Sequence, residues 1–347
     1  MCIRDSSIPN NIELNSSFSK HSFYDANGNV IDNSNEVVIE KFKAITGIEK
    51  RRYINDEQTV VDIAIEAAKK TILDAKIDQE SIDYIIVAHN VGDITLNSNQ
   101  VNTLPSLASK VKAGLNIKSS DCVAYDILFG CPGWVEGVIQ ATAFIKAGMA
   151  KKCLVLGADT LSRVLDHSDR DSMIYADGAG ASMIEASKGK GGILSHKTVT
   201  YTSEGEADFI FYGPSNDKGK GTKYIKMHGR KVYEFALSKV PLALKKCLET
   251  SGKSIDDVKK IFIHQANLKM DDAIVKRFYK LYGKAMPNNV LPMNIQEFGN
   301  SSVATVPTLF DLVLRENYGG HELKTGDLIL FASVGAGMNI NAITYLV

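Results

Sequence analysis

The apolar positions of this chain follow two periods that alternate. Residues 64–82, "AIEAAKKTILDAKIDQESI", place their hydrophobic side chains at helical spacing, and the continuous run "DYIIVAHN" follows, suited to a strand covered on both faces. The same succession returns about half a chain later. Residues 240–258, "VPLALKKCLETSGKSIDDV", have the helical period, and "KKIFIHQAN" supplies the β-rich run that again ends at a histidine. A second pair lies further along: "FGCPGWVEGV" from Phe129 and "FGNSSVATVP" from Phe298, each a Phe-Gly, a polar or reactive residue, then small residues that can open a helix. Two correspondences in the same order at nearly the same offset indicate duplication.

The remaining segments fit that reading. "CLVLGAD" (153–159) and "DLILFAS" (327–333) read as buried strands, and "DGAGA" (177–181) and "GAGM" (335–338) as glycine-rich turns after them. The stretch 216–221 is charged and glycine-rich, as expected of a surface loop near the junction of the halves. The pattern predicts two similar α/β halves whose sheets pack around shared central helices, each half bringing its Phe-Gly helix start toward a pseudo-twofold axis.

Composition narrows the partners. With 40 basic and 40 acidic residues, no global field steers the protein toward nucleic acid or a membrane surface. No apolar run approaches the ~18 residues of a membrane span, and the start "MCIRDSSIPNN" has no signal-peptide core, so the expected location is the cytoplasm. The cysteines, at 2, 122, 131, 153 and 247, are scattered and form no C-x-x-C pair, which fits a reducing compartment and offers no metal site.

Cys131 stands between the apolar run Ile127–Gly130 and a helix-opening Pro132-Gly133. It can be a packed core thiol, the commoner fate of free cysteine. It can also be a nucleophile at a helix N-terminus, where the dipole favours the thiolate. Duplication bears on the choice, because the counterpart of Cys131 is Asn300, and facing halves would bring the two together. His264, closing the strand "IFIH", is the third candidate, with the polar neighbours of "HQAN" beside it. His89 closes the equivalent strand of the first half and reads as an ordinary polar strand end.

Taken in order, "CPGW" (131–134), "DRDSMIYADGAGA" (169–181), "HQAN" (264–267), "GNSSVAT" (299–305) and "SVGAGM" (333–338) resemble the β-ketoacyl-acyl carrier protein synthase III family of thiolase-fold condensing enzymes, from "TGIEKRR" (46–52) to the C-terminus. The resemblance implies an α/β, thiolase-like fold in which duplicated halves, 1–195 and 196–347, form a layered α-β-α-β-α core. It implies a Cys131–His264–Asn300 triad. Cys131 would accept an acyl group from a thioester, and a malonyl group on acyl carrier protein would then lose carbon dioxide and condense with it. It also implies an oxyanion hole from the backbone N–H groups of Cys131 and Ala336, contacts of Arg170 and Asn267 with the coenzyme A or pantetheine arm, and an acyl pocket bounded by Leu104, Trp134 and Tyr175. Leu104 would act across a homodimer interface. Lys269, Lys276 and Arg277, on one face of a helix after "HQAN", would dock the carrier protein. Acyl-CoA is the other implied partner, and neither a resident cofactor nor a metal is expected.

Several positions depart from the family. Ile45 and Lys41 stand where many members have an arginine and a tryptophan that clasp adenine, so the primer is expected on a carrier protein or as an unusual acyl-CoA. Ala336 replaces a glycine, which keeps the N–H provided its φ is negative. Leu104 and Trp134 stand where relatives often carry Phe, and the smaller cap at 104 suggests a longer or branched primer. The opening "MCIRDSS" lacks strand alternation, so the first sheet is expected to miss an edge or central strand. Competing readings are a carrier-to-carrier condensing enzyme or acyltransferase of a specialised lipid or polyketide pathway, and a catalytically silent subunit, which the complete triad disfavours. A dinucleotide-binding dehydrogenase is also disfavoured, since neither glycine motif has the full G-x-G-x-x-G context.

Overall fold

A computed structural model describes residues 3–347 apart from 99, 187, 188, 190 and 218–220. In chain order, β1 (Ile3–Ser7) and β2 (Asn11–Leu14) precede α1 (Asn35–Thr46) and β3 (Lys50–Tyr53). The first predicted helix–strand unit is α2 (Val60–Ala75) with β4 (Tyr84–His89). The helix starts where Asp62 accepts from the Thr59 N–H (2.8 Å) and stops at Lys76 in the left-handed region (φ 53°). Then follow α3 (Leu107–Gly114), β5 (Val123–Leu128), α4 (Gly133–Lys146), β6 (Lys152–Thr160) and β7 (Asp177–Glu185). The second half runs β8 (Gly192–Thr200), the hairpin β9 (Ile210–Pro214) and β10 (Lys223–Met227), α5 (Gly229–Thr250), β11 (Val258–Ile263), α6 (Leu268–Lys280), α7 (Ile295–Phe298), α8 (Thr305–Glu316), β12 (Leu328–Gly335) and β13 (Asn339–Leu346).

Duplication is visible in the sheets. One has the order β1-β7-β6-β4-β5, the other β8-β13-β12-β11, each with the same sequence of antiparallel and parallel neighbours as far as β4 and β11. Where β5 extends the first sheet, the second has, among the described residues, no further strand, and Ile261 N–H bonds to the Val290 carbonyl instead (2.8 Å). Strand alternation sorts the side chains into layers. From β4, Ile85 and Val87 pack with α2 and α3 on the outer face, while Ile86 and Ala88 face inward to α4 and α8. On the far side, α5 and α6 cover the second sheet. The result is the expected α-β-α-β-α stack. α8 is buried at every position from Thr305 to Val313, as a helix enclosed between two sheets must be.

Two expectations are corrected. The first sheet does have its edge strand: β1 pairs with β7 from Ile3↔Met183 to Ser7↔Ala179. Its polar side chains are satisfied rather than solvated, Ser6 Oγ on Asp311 (2.7 Å) and Ser7 Oγ on Glu66 (2.9 Å), so no apolar alternation was needed. "DGAGA" is not a turn but the start of β7. A Cβ at Gly180 would lie 2.7 Å from Pro307, and one at Gly178 3.2 Å from Ser301, so the glycines admit the segment leading into α8. The second sheet begins with β8 at Gly192, and β8 pairs with β13 from Gly192 onward. The 216–221 loop is the tip of the β9–β10 hairpin, with 218–220 outside the described residues. Among the described residues no helix is long and apolar enough to cross a membrane.

Candidate active site

Cys131 sits at the turn between β5 and α4. Gly130 takes a left-handed conformation (φ 68°) and Gly133 N–H closes the turn on the Gly130 carbonyl (2.9 Å). Pro132, with φ −68°, caps α4 and aims the helix N-terminus at the sulfur. Burial pushes the thiol up to about 11, and a hydrogen bond from Ser302 Oγ to Sγ (3.5 Å) works against that shift.

His264 follows β11, where its N–H donates to the Ala332 carbonyl (2.9 Å). Burial lowers the imidazole to about 4, so it is neutral near pH 7. Its Nδ1 lies 2.7 Å from Thr305 Oγ1, which in turn lies 3.0 Å from the Ser302 carbonyl oxygen. Asn300 is clamped by backbone bonds to the segment before β7: Asn300 N–H to Ile174 O (2.9 Å) and Ala176 N–H to Asn300 O (2.8 Å). Asn300 Oδ1 accepts from Ser302 N–H (2.8 Å), which leaves Nδ2 as the end able to donate.

Ser302 therefore touches all three groups: its hydroxyl reaches the sulfur, its N–H holds Asn300, and its carbonyl shares Thr305 with His264. It does so in a left-handed conformation (φ 56°), uncommon for a non-glycine residue and often a mark of function. Cys131, His264 and Asn300 line one cavity of about 870 Å³. Its rim includes Arg170, with 63% of its side chain exposed, and Arg230, with 90%. The thiol is reachable from solvent, and the three groups share one space.

A second turn abuts Cys131. A Cβ on Gly335 would stand 2.5 Å from the Cys131 backbone N, and one on Gly130 would stand 2.8 Å from Ala336 N. The two backbones are thus in contact at the donors expected of an oxyanion hole. Positive φ is taken by Gly337 (74°) and Met338 (46°), not by Ala336, so the alanine carries no backbone penalty.

The other expected residues divide. Tyr175 lines the cavity, as do Arg170 and Asn267, whose Oδ1 also caps α6 on Met270 N–H (3.1 Å). Trp134, expected at the acyl pocket, is not among the lining residues of this cavity. It is wholly buried with its ring 5.8 Å from that of Phe331, because its place on α4 turns it into the layer between the sheets. Leu104 is not part of the cavity wall in this chain and is 86% exposed, before a cis bond to Pro105. Lys269, Lys276 and Arg277 lie exposed along α6. Lys276 pairs with Asp272 (2.7 Å), and Arg277 donates to the Leu237 carbonyl (3.2 Å). Both departures from the adenine clasp, Lys41 and Ile45, line the cavity rim. His89 is bonded to Asp126 (3.3 Å) and lies outside the cavity.

Sequence reasoning missed Ser302, Thr305 and Asn90. The first two lie inside the quoted "GNSSVAT", but nothing in the pattern distinguishes them from helix-capping residues.

Comparison with known proteins decides the family. Residues 125–202 match the family described as 3-Oxoacyl-[acyl-carrier-protein (ACP)] synthase III, and residues 248–346 match its C-terminal counterpart. The Beta-ketoacyl-[acyl-carrier-protein] synthase III of Erythrobacter litoralis is 31% identical over 316 residues, covering 90% of each chain. The chain belongs to the synthase III family. The enzyme of the same name from Porphyra purpurea is 34% identical over 86% of this chain and 87% of its own. Among solved structures, the 3-oxoacyl-[acyl-carrier-protein] synthase III of Aquifex aeolicus VF5 superposes with a TM-score of 0.83 at 27% identity, covering 100% of this chain and 99% of its own. The fold is that of the thiolase-like condensing enzymes, and the protein is a synthase III-type condensing enzyme, an acyltransferase.

Proposed function

We propose that this synthase III transfers a primer acyl group from a thioester to Cys131 and then condenses it with malonyl-acyl carrier protein. The observation that carries the reading is the convergence of Cys131, His264 and Asn300 on Ser302 at one open cavity. In the first half-reaction Cys131 Sγ bonds to the acyl carbon, the carbon–sulfur bond of the incoming thioester breaks, and the departing thiolate takes up the proton Cys131 gives up. The N–H groups of Cys131 and Ala336 face the oxyanion that forms in between.

In the second half-reaction the malonyl carboxylate leaves as carbon dioxide, and its bonding electrons form an enolate. Asn300 Nδ2 is the free donor of its amide. Neutral His264 donates from Nε2 in the tautomer whose Nδ1 accepts from Thr305, for which the Thr305 hydroxyl turns its single proton away from the Ser302 carbonyl it otherwise donates to. Both hydrogen bonds strengthen as charge reaches the thioester oxygen. The enolate carbon then attacks the acyl-cysteine, and the thiolate is regenerated.

Arg170 and Asn267 would hold the pantetheine arm, with Tyr175 against the acyl chain. The apolar residue and lysine at the rim, Ile45 and Lys41, favour delivery of the primer by a carrier protein over an adenine-clasped coenzyme A. Lys269, Lys276 and Arg277 would meet the acidic carrier surface. A second copy of the chain suits the open edge of the first sheet, where β5 leaves Leu128 72% exposed.

Intact mass after incubation with matched acyl-CoA and acyl-carrier thioesters tests this. Acylation should appear on the wild type and vanish in Cys131→Ala. His264→Ala and Asn300→Ala should acylate but release no carbon dioxide from malonyl-carrier protein. If those variants still condense, the assigned roles fail.

A further inference from the structure

Behind the sulfur lies a short line of polar groups that the reaction above does not use. Asp159, at the end of β6, is completely buried. It accepts from the backbone N–H of Asn90 (2.8 Å) and of Val91 (3.3 Å), and from Asn90 Nδ2 (3.1 Å). A carboxylate only accepts, so the amide group of Asn90 must turn its nitrogen toward Asp159. That nitrogen has a second hydrogen, and it points at Ser302 Oγ in a very short contact. The Ser302 oxygen thereby receives a donor, and its own single proton, for which the Asp159 carboxylate is a second acceptor within reach, points at Cys131 Sγ, 3.5 Å away.

We propose that Ser302 is a further catalytic residue, its hydroxyl a hydrogen-bond donor to the Cys131 thiolate, and that Asn90, held by Asp159, is the positioning residue that turns it that way. The inference rests on Cys131 being the nucleophile, as argued above. It answers a difficulty that the helix N-terminus alone leaves: burial strongly disfavours the thiolate, and Asp159 adds a like charge nearby. A directed hydroxyl favours the anion over the thiol, since the bond is stronger to a charged acceptor. It also serves when the thiolate leaves at the end of condensation. The left-handed backbone of Ser302 has a reason on this account, for one residue must offer its N–H to Asn300, its carbonyl to Thr305 and its side chain to the sulfur. The other ionisable groups around the sulfur are His264, neutral, and Tyr175, whose phenol burial keeps protonated, so neither supplies a compensating charge.

The test reads the thiolate directly. Alkylation of Cys131 by iodoacetamide at pH 8, followed by peptide mass spectrometry so that the other cysteines do not interfere, reports its availability. Ser302→Gly removes the hydroxyl and suits the positive φ, and it should slow alkylation about tenfold. Asn90→Ala, which only releases the hydroxyl, should slow it by a few fold, whereas Asn90→Asp makes position 90 an acceptor that pulls the proton away and should slow it more than Asn90→Ala. Wild-type rates in a folded Ser302→Gly, or equal rates in the two Asn90 variants, would overturn the proposal. If Ser302→Gly does not fold, the Asn90 pair decides. A wild-type protein that alkylates at Cys131 but takes acyl groups from no thioester would refute the proposed reaction and leave this inference standing.

Discussion

Gly335→Ala probes the contact between the two turns that frame the sulfur. The backbone at Gly335 is extended (φ −168°, ψ −163°), so alanine is conformationally acceptable there and the effect is purely one of space. The added Cβ would meet Cys131 N at 2.5 Å, Pro132 Cδ at 2.8 Å and Cys131 Cβ at 2.9 Å. None of these is the end of a flexible side chain. Restoring ordinary contact requires the β12–β13 turn to retreat from Cys131 by about 1 Å, and a displacement of that size costs catalysis about 100-fold. Crowding a packed site also costs stability, about 1–3 kcal/mol. The assay is carbon dioxide release under saturating malonyl-carrier protein, with thermal unfolding measured on the same preparation. The expected variant is folded, somewhat less stable, and about two orders of magnitude slower in acylation and condensation alike, because the proposed oxyanion donors would serve both. A folded Gly335→Ala with near wild-type turnover would show that the Ala336 N–H does not belong to the reaction centre.

Two other outcomes follow from the same geometry. The folded pKa of His264, about 4, lies below its ordinary 6.5, so as pH falls below 6.5 the unfolded chain takes a proton that the folded one refuses. Stability should therefore drop between pH 6.5 and 4 by up to about 3 kcal/mol from this residue, and urea titrations of His264→Asn should lack that share; identical slopes would refute it. Reversing charge with Lys269→Glu and Lys276→Glu should weaken carrier-protein binding about tenfold at low salt, with the difference shrinking as salt screens it. Unchanged titration calorimetry would remove α6 as the docking face.

Much of the architecture was legible in the chain. Helical and strand periods are local properties, so α2–β4 and α5–β11 could be recognised as copies. The layered core followed from strands too apolar to face water. Cys131 stood out as a candidate because a cysteine before Pro-Gly lies at a helix start, but its neighbours alone fitted a packed core thiol as well, and its pairing with Asn300 and the family resemblance pointed to the nucleophile. Glycines misled where their reason was distant: "DGAGA" is strand because Pro307 and Ser301, more than a hundred residues on, press against it. β1 was missed because its serines satisfy themselves on Asp311 and Glu66 rather than by burying apolar surface.

Sequence by itself determined most of the elements, which depend on neighbours within a few residues, and their duplication, which depends on the same local patterns recurring half a chain apart; Cys131, His264 and Asn300 emerged as candidates only through that recurrence and the family resemblance. Only the tertiary structure decided which way Trp134 turned, that the Gly335 turn touches Cys131, and that Asn90, Cys131 and Ser302 form one hydrogen-bonded line. Those relations join residues on different strands and helices, and packing of the two sheets around α4 and α8 sets their separations to fractions of an ångström, a precision that no local pattern encodes.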